Sequence, residues 1–293
     1  ERRVPRAQPA VTLPAIAPGE RASVRLTLEP RRRGRIELAG LTLARPDPLG
    51  LVRSLRRYAL PAHVIALPRR YRLPELVLPG ARKFQQGGVS LATSVGDSEE
   101  FVSLRDYRPG DPLQRIHWKS FARSGKPIVK EYLDEFFERH ALVLDTGRGE
   151  GEDTVFEEAV ALAASFVYTI DTQECLLDLL FVADQVHQYT AGRGQLQADH
   201  MLEILAGVAP GPRAAFDGLA RAVLAQRSRL SSCILVFVEW DAARAGLMRA
   251  LSASGMDLRA LLVCAEDAMP RDLPHGVLAL HPGRIEQGLL RLR

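Results

Sequence analysis

The chain has 293 residues, 46% of them hydrophobic, and a formal net charge of +4. This length accommodates two domains, and the composition is that of an ordinary soluble globular protein rather than a disordered or fibrous one. No apolar run approaches the roughly 18 to 20 residues of a membrane-spanning helix. The three cysteines, Cys175, Cys233 and Cys264, lie singly in apolar runs. This predicts buried thiols in a reducing compartment, without disulfide or metal roles.

The positive charge is concentrated in the first quarter of the chain. Residues 1–75 contain 16 arginines and 6 acidic residues, a net charge of +10, whereas the remainder carries −6. A basic region of this kind suits contact with anionic lipid headgroups at the cytoplasmic side of a membrane. We predict no nucleic-acid partner, because the run Arg31-Arg32-Arg33 has no aromatic neighbours on which bases could stack. A solvated arginine-rich surface is the other interpretation.

Residues 1–78 are predicted to form a β-rich domain. Turn signals such as Pro18-Gly19-Glu20 and Pro46-Asp47-Pro48-Leu49-Gly50 separate short apolar or alternating runs. The predicted strands are Val11–Leu13, Ala22–Leu28, Arg35–Leu43, Tyr58–Leu60 and His63–Leu67. This spacing favours a small antiparallel β-sandwich.

Residues 79–137 are predicted to be a linker followed by a segment rich in charged, aromatic and turn-forming residues. Pro79–Ser98 contains many glycines and small polar residues, which predicts a mobile loop. The denser segment is Glu100–Tyr132, which begins with the alternating pattern of a strand. Pro109-Gly110 then predicts a turn, because proline presets φ and glycine allows positive φ.

A short helix is predicted after this turn. Asp111 is its expected cap, with Pro112 and Gln114 in the first turn, and Ser124-Gly125 is its expected end. Lys126–Tyr132 alternates again and is predicted to be a second strand.

Paired charges dominate the same segment, and nothing in it combines a nucleophile with a neighbouring base. Arginine suits such pairing because its planar guanidinium holds a carboxylate through two bonds. We predict a structural brace between two domains, in which His117 has no catalytic role. Alanine at Arg105 or Trp118 is therefore expected to make the protein unfold more easily. The charged residues are Arg105, Asp106, Arg108, Asp111, Arg115, Lys119, Arg123, Lys130 and Glu131.

The run F-x-x-L-R-D-Y-x-P-G-D-x-x-x-R-I-x-W-x-x-x-A-R-x-G, ending at K-E-Y, resembles the signature of a bacterial family known as domain of unknown function 58. The stretch from Arg33-Gly34-Arg35 to Asp47-Pro48-Leu49-Gly50-Leu51 resembles the pattern that precedes this signature. The signature positions are Arg105, Tyr107, Gly110, Asp111, Ile116, Trp118, Ala122, Arg123 and Glu131. In this family, the region that begins at His140 resembles a von Willebrand factor A domain.

Residues 138–293 alternate strand and helix patterns, which predicts an α/β domain with a doubly wound, mostly parallel sheet. Together with the resemblance, this gives a von Willebrand A-like domain preceded by the small β-rich one. The predicted strands are Ala141–Leu144, Leu176–Val182, Gln185–Tyr189, Cys233–Val238, Leu258–Cys264 and Val277–Leu280, with Gln185–Tyr189 antiparallel. The predicted helices are Asp153–Ile170, Leu196–Leu205, Phe216–Gln226, Ala242–Ser252 and Arg284–Leu292.

Ligands of such sheets bind beyond the carboxyl ends of the strands, which here indicates Asp145 and the loop after it. The resemblance implies a metal-ion-dependent adhesion site (MIDAS), built from D-x-S-x-S, a distant threonine and a later aspartate, whose oxygens suit Mg²⁺. Asp145 is present, but Gly147 and Gly149 replace both serines. Pro210-Gly211-Pro212-Arg213 lacks the threonine, and Glu239 stands near the place of the later aspartate. We therefore predict a degenerate site without a metal.

The loop Gly147–Gly151 carries the alternative hypothesis, a nucleotide-binding or hydrolytic enzyme of doubly wound fold. Glycine N–H groups between a strand and a helix can approach a phosphate. The spacing, however, is not G-x-G-x-x-G, there is no Walker lysine, and Glu150, Glu152 and Asp153 repel phosphate. Hydrolase motifs such as G-x-S-x-G and H-E-x-x-H are absent. We predict no cofactor and no enzymatic activity.

What the resemblance implies instead is an adaptor. Family members are commonly encoded beside MoxR-type AAA+ ATPases and are thought to act with them in assembly or maturation at the cell envelope. They also carry hydrophobic segments upstream, which implies anchoring at the cytoplasmic face of the inner membrane by segments outside this sequence. The expected partner-binding face comprises Asp145, Gly147, Gly149, Glu239, Trp240 and Asp241. Trp240 is expected to be either the aromatic anchor of this face or a partly buried lid over the helix layer.

Overall fold

The computed structural model of the chain describes residues 11–25, 27, 29–74, 101–111, 113, 116–132, 138–147, 153–170, 175–183, 185–192 and 195–292. These residues form a six-stranded, mostly parallel sheet with helices, and two small antiparallel sheets. The predicted mixed α/β class is therefore confirmed. The predicted mobile loop Pro79–Ser98 lies outside the described residues, as does Gly149.

A long antiparallel hairpin dominates the N-terminal part. It pairs β1 (Gly34–Pro46) with β2 (Arg53–Ala66) around the turn that the sequence predicts. A bulge shifts the register between Leu38 and Gly40. Gly40 has φ of 141°, and a Cβ there would lie 2.0 Å from the Tyr58 carbonyl oxygen. Only glycine fits this position, so the bulge is specified by one residue.

Two of the predicted N-terminal strands are not seen among the described residues. Residues 11–13, 22–25 and 27 are not in strands. Pro14 and Pro18 follow the first run and provide no N–H for a ladder, which opposes pairing there. The described part of residues 1–78 thus contains one two-stranded sheet, and the predicted sandwich is not seen in it.

The signature segment forms a second, smaller unit of strand, helix and strand. β3 (Phe101–Asp106) pairs antiparallel with β4 (Ile128–Tyr132), and α1 (Trp118–Ser124) lies between them in the chain. The predicted end of the helix is confirmed, since Gly125 has φ of 67° and donates to the Phe121 carbonyl. The predicted cap is wrong, because the helix begins after His117, which forms no side-chain cap bond. Residues 112 and 114 lie outside the described part of the chain.

The C-terminal part is built on the six-stranded sheet. Its strands are β5 (Glu138–Leu144), β6 (Cys175–Val182), β7 (Val186–Ala191), β8 (Ser232–Phe237), β9 (Asp257–Val263) and β10 (Val277–Leu280). Their spatial order is β10-β9-β8-β5-β6-β7. The β6–β7 pair is antiparallel, as predicted, and the other pairs are parallel.

Helices cover both faces of this sheet. They are α2 (Asp153–Thr169), α3 (Gln195–Gly207), α4 (Ala215–Gln226), α5 (Ala242–Ala253) and α6 (Ile285–Leu289). Leu142 and Leu144 of β5 pack in the cluster that contains α2, α3 and α6, whereas Ala141 and Val143 pack in the cluster with α4 and α5. Because β5 is covered on both faces, successive residues of the strand are buried in one cluster and then in the other. This explains why no polar residue follows His140 in β5. The predicted closing helix is shorter than expected and ends at Leu289.

Buried polar groups in the sheet are paired. The His140 Nδ1 atom lies 2.7 Å from the Ser232 hydroxyl across the β5–β8 pair. The Asp178 carboxylate accepts from Arg139 at 2.6 and 3.0 Å and from the Thr190 hydroxyl at 2.6 Å. Such bonds offset the cost of removing polar groups from water.

The predicted burial of the three cysteines is confirmed. Cys175, Cys233 and Cys264 are all buried. Burial raises the pKa of the Cys233 and Cys264 thiols, so both remain protonated at neutral pH. Within the described residues, no helix is both long and apolar enough to span a membrane.

Candidate functional site

The residues predicted to mark a site meet at the carboxyl edge of the two central strands. Asp145 directly follows β5, and Glu239 to Asp241 follow β8, its parallel neighbour. The Asp145 backbone N–H donates to the Val236 carbonyl at 2.9 Å, which extends the ladder past the end of β5. Parallel pairing thus brings residues almost one hundred positions apart to one edge of the sheet.

Arg244, which the sequence interpretation did not include, fills the centre of this edge. Its Nε donates to Asp145 Oδ2 at 3.0 Å, and its Nη2 lies 3.2 Å from Asp145 Oδ1 and 2.8 Å from the Gly147 carbonyl oxygen. Its Nη1 donates to Asp241 Oδ2 at 2.5 Å. The guanidinium carbon lies 4.3 Å from the Phe216 ring centroid, a cation–π contact. One side chain therefore joins two of the carboxylates at this edge, those of Asp145 and Asp241.

The helix that carries Arg244 is positioned by the same cluster. Asp241 is the N-cap of α5, and its Oδ1 accepts from the Arg244 backbone N–H at 2.9 Å. Arg244 therefore sits in the first turn of the helix, on the face that also buries Leu247 and Leu251. The cap fixes the rotation of α5, and that rotation directs the guanidinium toward Asp145.

Charge and burial make this an internal ion pair. Asp145 is 0% exposed and Arg244 is 1% exposed. Burial raises the pKa of Asp145 to about 6 against the opposing pull of Arg244, so the carboxylate is ionised at neutral pH. Burial also acts against the charge of Arg244, but Asp145 and Asp241 outweigh it and raise the pKa of the guanidinium. A positive charge is held where a hard cation would otherwise contact Asp145.

Gly147 leaves little room for the hydroxyl side chain of a metal-binding motif, because the neighbouring atoms would have to shift to admit a Cβ. A Cβ on Gly147 would lie 3.2 Å from the Arg213 carbonyl, 3.3 Å from the Pro212 carbonyl and 3.3 Å from Asp145 Oδ1. The loop containing Pro212 is held there by the Gly211 N–H, which donates to the Thr146 carbonyl at 2.8 Å. Among the described residues, no group of three or more His, Cys, Asp or Glu side chains is arranged to hold a metal ion.

The predicted partner-binding face is only partly accessible. Asp145 and Gly147 are buried, and Gly149 lies outside the described residues. Glu239 forms an ion pair with the exposed Arg213, and the half-buried Trp240 packs edge-on against Phe237 with centroids 5.7 Å apart. We define the exposed rim as Arg213, Glu239, Trp240 and Asp241. Asp145 and Arg244 support this rim from below and do not reach its surface.

The signature segment forms a site of its own around an ion pair. Arg105 donates to Asp111 through two nitrogens, at 2.7 and 2.8 Å, and Asp111 also accepts from the Arg108 backbone N–H at 2.8 Å. The Arg105 hydrogen bonds lower the pKa of Asp111 to about 2. Gly110, with φ of 108°, makes the turn that brings Asp111 back to Arg105. The expected pairing of charges is thus seen at Arg105 and Asp111.

The remaining signature residues are divided between interior and surface. Tyr107 donates its backbone N–H to the Pro127 carbonyl at 3.0 Å, and Ile116 is buried against Val129 through an isolated bridge. Glu131 pairs through its backbone with Ser103. Arg123 is in the last turn of α1, where a positive charge complements the helix dipole.

Trp118, for which the sequence predicted a role in a brace between two domains, lies largely at the surface. Its side chain is 62% exposed and contacts Phe121 edge-on at 6.0 Å. We therefore expect Trp118→Ala to lower the free energy of unfolding by less than about 1 kcal/mol, because few of its contacts are lost. Ile116→Ala, which removes a buried side chain, should cost about 2 kcal/mol or more. Urea denaturation followed by circular dichroism measures both, and a larger loss for Trp118→Ala would restore the brace interpretation.

Residues 103–287, more than half of the chain, match the family described as "Protein of unknown function DUF58". The chain is also 25% identical over 162 residues to the "Uncharacterized protein YeaD" of Bacillus subtilis (strain 168), an alignment that covers 55% of this chain and 39% of that relative. The chain thus spans well under two thirds of the length of the relative. The matched region contains the Arg105–Asp111 pair and the whole cluster around Arg244. The chain belongs to the DUF58 family, as its signature segment predicted.

Proposed function

We propose that this chain is a non-enzymatic protein-interaction module, an adaptor whose binding face is the exposed rim. The observation that carries the proposal is the position of Arg244, which pairs with Asp145 at 3.0 Å and with Asp241 at 2.5 Å. A fixed internal cation satisfies these carboxylates without a metal ion. The edge of the sheet is then rigid and available for recognition rather than for metal chemistry.

The strand order supports a von Willebrand A-like, doubly wound fold. When the six strands of the large sheet are numbered along the chain from β5, their spatial order is that of a doubly wound sheet. The first strand (β5) then lies beside the fourth (β8), at the point where the strand order reverses. Ligands of such folds bind at this point. Asp145 and the rim lie there, so a degenerate metal-ion-dependent adhesion site in which Arg244 replaces the cation is consistent with the arrangement.

A MoxR-type AAA+ ATPase is the partner we propose, on the basis of the family resemblance. The rim offers a half-buried aromatic side chain, Trp240, flanked by the Arg213–Glu239 ion pair and by Asp241. An aromatic anchor within a polar surround is the usual composition of an interaction hot spot. We place the module at the cytoplasmic face of the inner membrane, anchored by segments outside this sequence, where it acts in envelope assembly or maturation.

Capture of a purified MoxR-type ATPase from the same bacterium tests this proposal. The chain has two tryptophans, which provide matched variants on separate surfaces, Trp240→Ala on the rim and Trp118→Ala on the signature segment. We expect the wild type and Trp118→Ala to retain the ATPase, and Trp240→Ala to lose at least tenfold in affinity, as a hot-spot residue does. Thermal unfolding of each variant controls for loss of structure, because Trp240 packs against Phe237.

Failure of the wild type to bind the ATPase would reject the adaptor role with this partner. Binding that only Trp118→Ala weakens would move the face to the signature segment. The alternative, an enzyme that binds a nucleotide at Gly147–Gly151, is tested by thermal unfolding with ATP, GTP, NAD and Mg²⁺. A ligand that binds the native state raises the midpoint with its concentration. We expect no such shift, in part because the Gly147 N–H already donates to Asp145 Oδ1 at 2.9 Å.

A further inference from the structure

The far end of the β1–β2 hairpin exposes apolar side chains that no other described part of the chain covers. Leu49 and Leu51 are 79% and 80% exposed, and Val52 and Leu55 are each 68% exposed. We call residues 45–57 the hairpin tip. Single exposed leucines are common on soluble proteins, but four adjacent apolar side chains at the end of a projection indicate a binding element.

The turn that presents these side chains is held by its own hydrogen bonds. The Asp47 N–H donates to the Val52 carbonyl at 2.9 Å, and the Gly50 N–H donates to the Asp47 carbonyl at 3.0 Å. The Asp47 carboxylate accepts from the Val52 N–H at 2.8 Å. Little conformational entropy is therefore lost when the leucines bind, because their backbone is already ordered.

Arginines lie on both faces of the hairpin directly behind the apolar end. The register pairs Arg45 with Ser54 and Arg56 with Leu43, which places Arg45 and Arg56 on one face. Arg53, opposite Pro46, and Arg57, opposite Thr42, are on the other face. The only acidic residue of the hairpin tip, Asp47, is occupied by the turn. The tip thus carries an apolar end, formed by Leu49, Leu51 and Val52, and a collar of four positive charges, with Leu55 between Arg53 and Arg57.

We propose that the hairpin tip inserts into the surface of an anionic membrane. The leucines would enter the boundary between headgroups and acyl chains, while the guanidinium groups bind lipid phosphates. Along the hairpin axis, the four arginines extend over about 14 Å, at ~3.4 Å per residue. This length is comparable to the thickness of the headgroup layer plus the ~5 to 10 Å to which interfacial elements penetrate. This inference is independent of the adaptor role, since it concerns a different surface.

Charge on both faces favours a membrane over a protein partner. A protein that docked on one face of the hairpin would leave the arginines of the other face unpaired. A bilayer surrounds an inserted projection, so all four guanidinium groups can reach phosphates at once. The excess of 16 arginines over 6 acidic residues in residues 1–75 adds long-range attraction to the same surface.

Co-sedimentation of the chain with lipid vesicles tests the proposal. We expect binding to phosphatidylcholine vesicles that contain about 30% phosphatidylglycerol, and at least tenfold weaker binding to phosphatidylcholine alone. Leu49→Asp/Leu51→Asp should reduce the binding to anionic vesicles at least tenfold, because two apolar contacts are replaced by charges that lipid phosphates repel. Arg45→Gln/Arg53→Gln/Arg56→Gln should do the same, and binding should weaken as NaCl rises from about 0.1 to about 0.5 M.

Leu290→Asp is the matched control, since Leu290 is 75% exposed but lies after α6, outside the hairpin. It should bind anionic vesicles like the wild type, and thermal unfolding should show that every variant is folded. Absence of wild-type binding, or equal loss in Leu290→Asp and in the double leucine variant, would overturn the proposal. Leucine-dependent self-association without vesicles, measured by sedimentation velocity, would assign the tip to a second copy of the chain instead. Leucine-dependent binding of the purified ATPase without vesicles would assign it to a protein partner.

Discussion

Replacing Arg244 by methionine is expected to lower the free energy of unfolding by about 3 to 5 kcal/mol, the usual cost of removing one partner of a buried ion pair. Asp145 is fully buried, and without Arg244 its charge keeps, among the described residues, backbone donors such as the Gly147 N–H. Methionine keeps the apolar stem of the side chain but removes both ion pairs and the cation–π contact with Phe216. Urea denaturation at pH 7.5 gives the difference.

The same variant should respond to pH in a defined direction. Burial raises the pKa of Asp145 to about 6 even beside Arg244, and removal of the guanidinium raises it further. The pKa of Asp145 is thus higher in the folded state than its value of about 3.9 in the unfolded state. A group of this kind adds stability in full below pH ~4, and this stability is lost as the pH rises through the folded-state pKa. The difference in the free energy of unfolding between the wild type and Arg244→Met should therefore be smaller at pH 5 than at pH 8.

Two controls separate the ion pair from other effects. Arg249→Met changes an exposed arginine of the same helix and should alter stability by no more than about 0.5 kcal/mol. Asp145→Asn/Arg244→Met removes both charges and should recover about 2 kcal/mol of the loss, since no buried charge is left unpaired. Equal losses in the single and double variants would contradict the ion-pair account.

The sequence located one half of this cluster and missed the other. Asp145 and Glu239–Asp241 were predictable because strand patterns fix where strands end, and parallel strands end at one edge. Arg244 lies 99 residues from Asp145, and no local rule joins them. A signal was nevertheless present, because Arg244, Leu247 and Leu251 follow the i, i+3, i+7 spacing of a buried helix face. An arginine on such a stripe indicates a buried carboxylate nearby.

The spacing of hydrophobic residues along the chain also explains which elements were predicted well. The strands and helices from β5 onward alternate between two cores, so their patterns are strong, and most of their bounds differ from prediction by one to three residues. The N-terminal hairpin exposes apolar residues on both faces, for example Leu43 on one and Leu55 on the other. Without one buried face, alternation could not show how many strands form or what they pack against.

Arg33 is the second residue at which we expect a large loss. Its side chain is 8% exposed and forms an ion pair with Glu157. Its Nε donates to the Leu205 carbonyl at 3.1 Å, and its Nη2 donates to the Val208 carbonyl at 2.5 Å. It also stacks over Phe156 with 5.3 Å to the centroid. These contacts fasten the residue before β1 to α2 and to the C-terminal end of α3, where a positive charge is favourable.

Arg33→Met should therefore lower the free energy of unfolding by about 2 to 3 kcal/mol, because two carbonyls at the end of α3 lose a charged donor. Limited trypsin digestion should also cut the arginine-rich hairpin faster, since the hairpin would separate from the α/β domain before that domain unfolds. Arg35→Met is the control two residues away, with a 65% exposed side chain and a 3.8 Å contact with Glu37. It should change stability by about 0.5 kcal/mol or less. Equal effects of the two substitutions would show that the hairpin is held elsewhere, for which Ser165, whose hydroxyl accepts from the Tyr71 backbone N–H at 2.7 Å, is the next residue to replace.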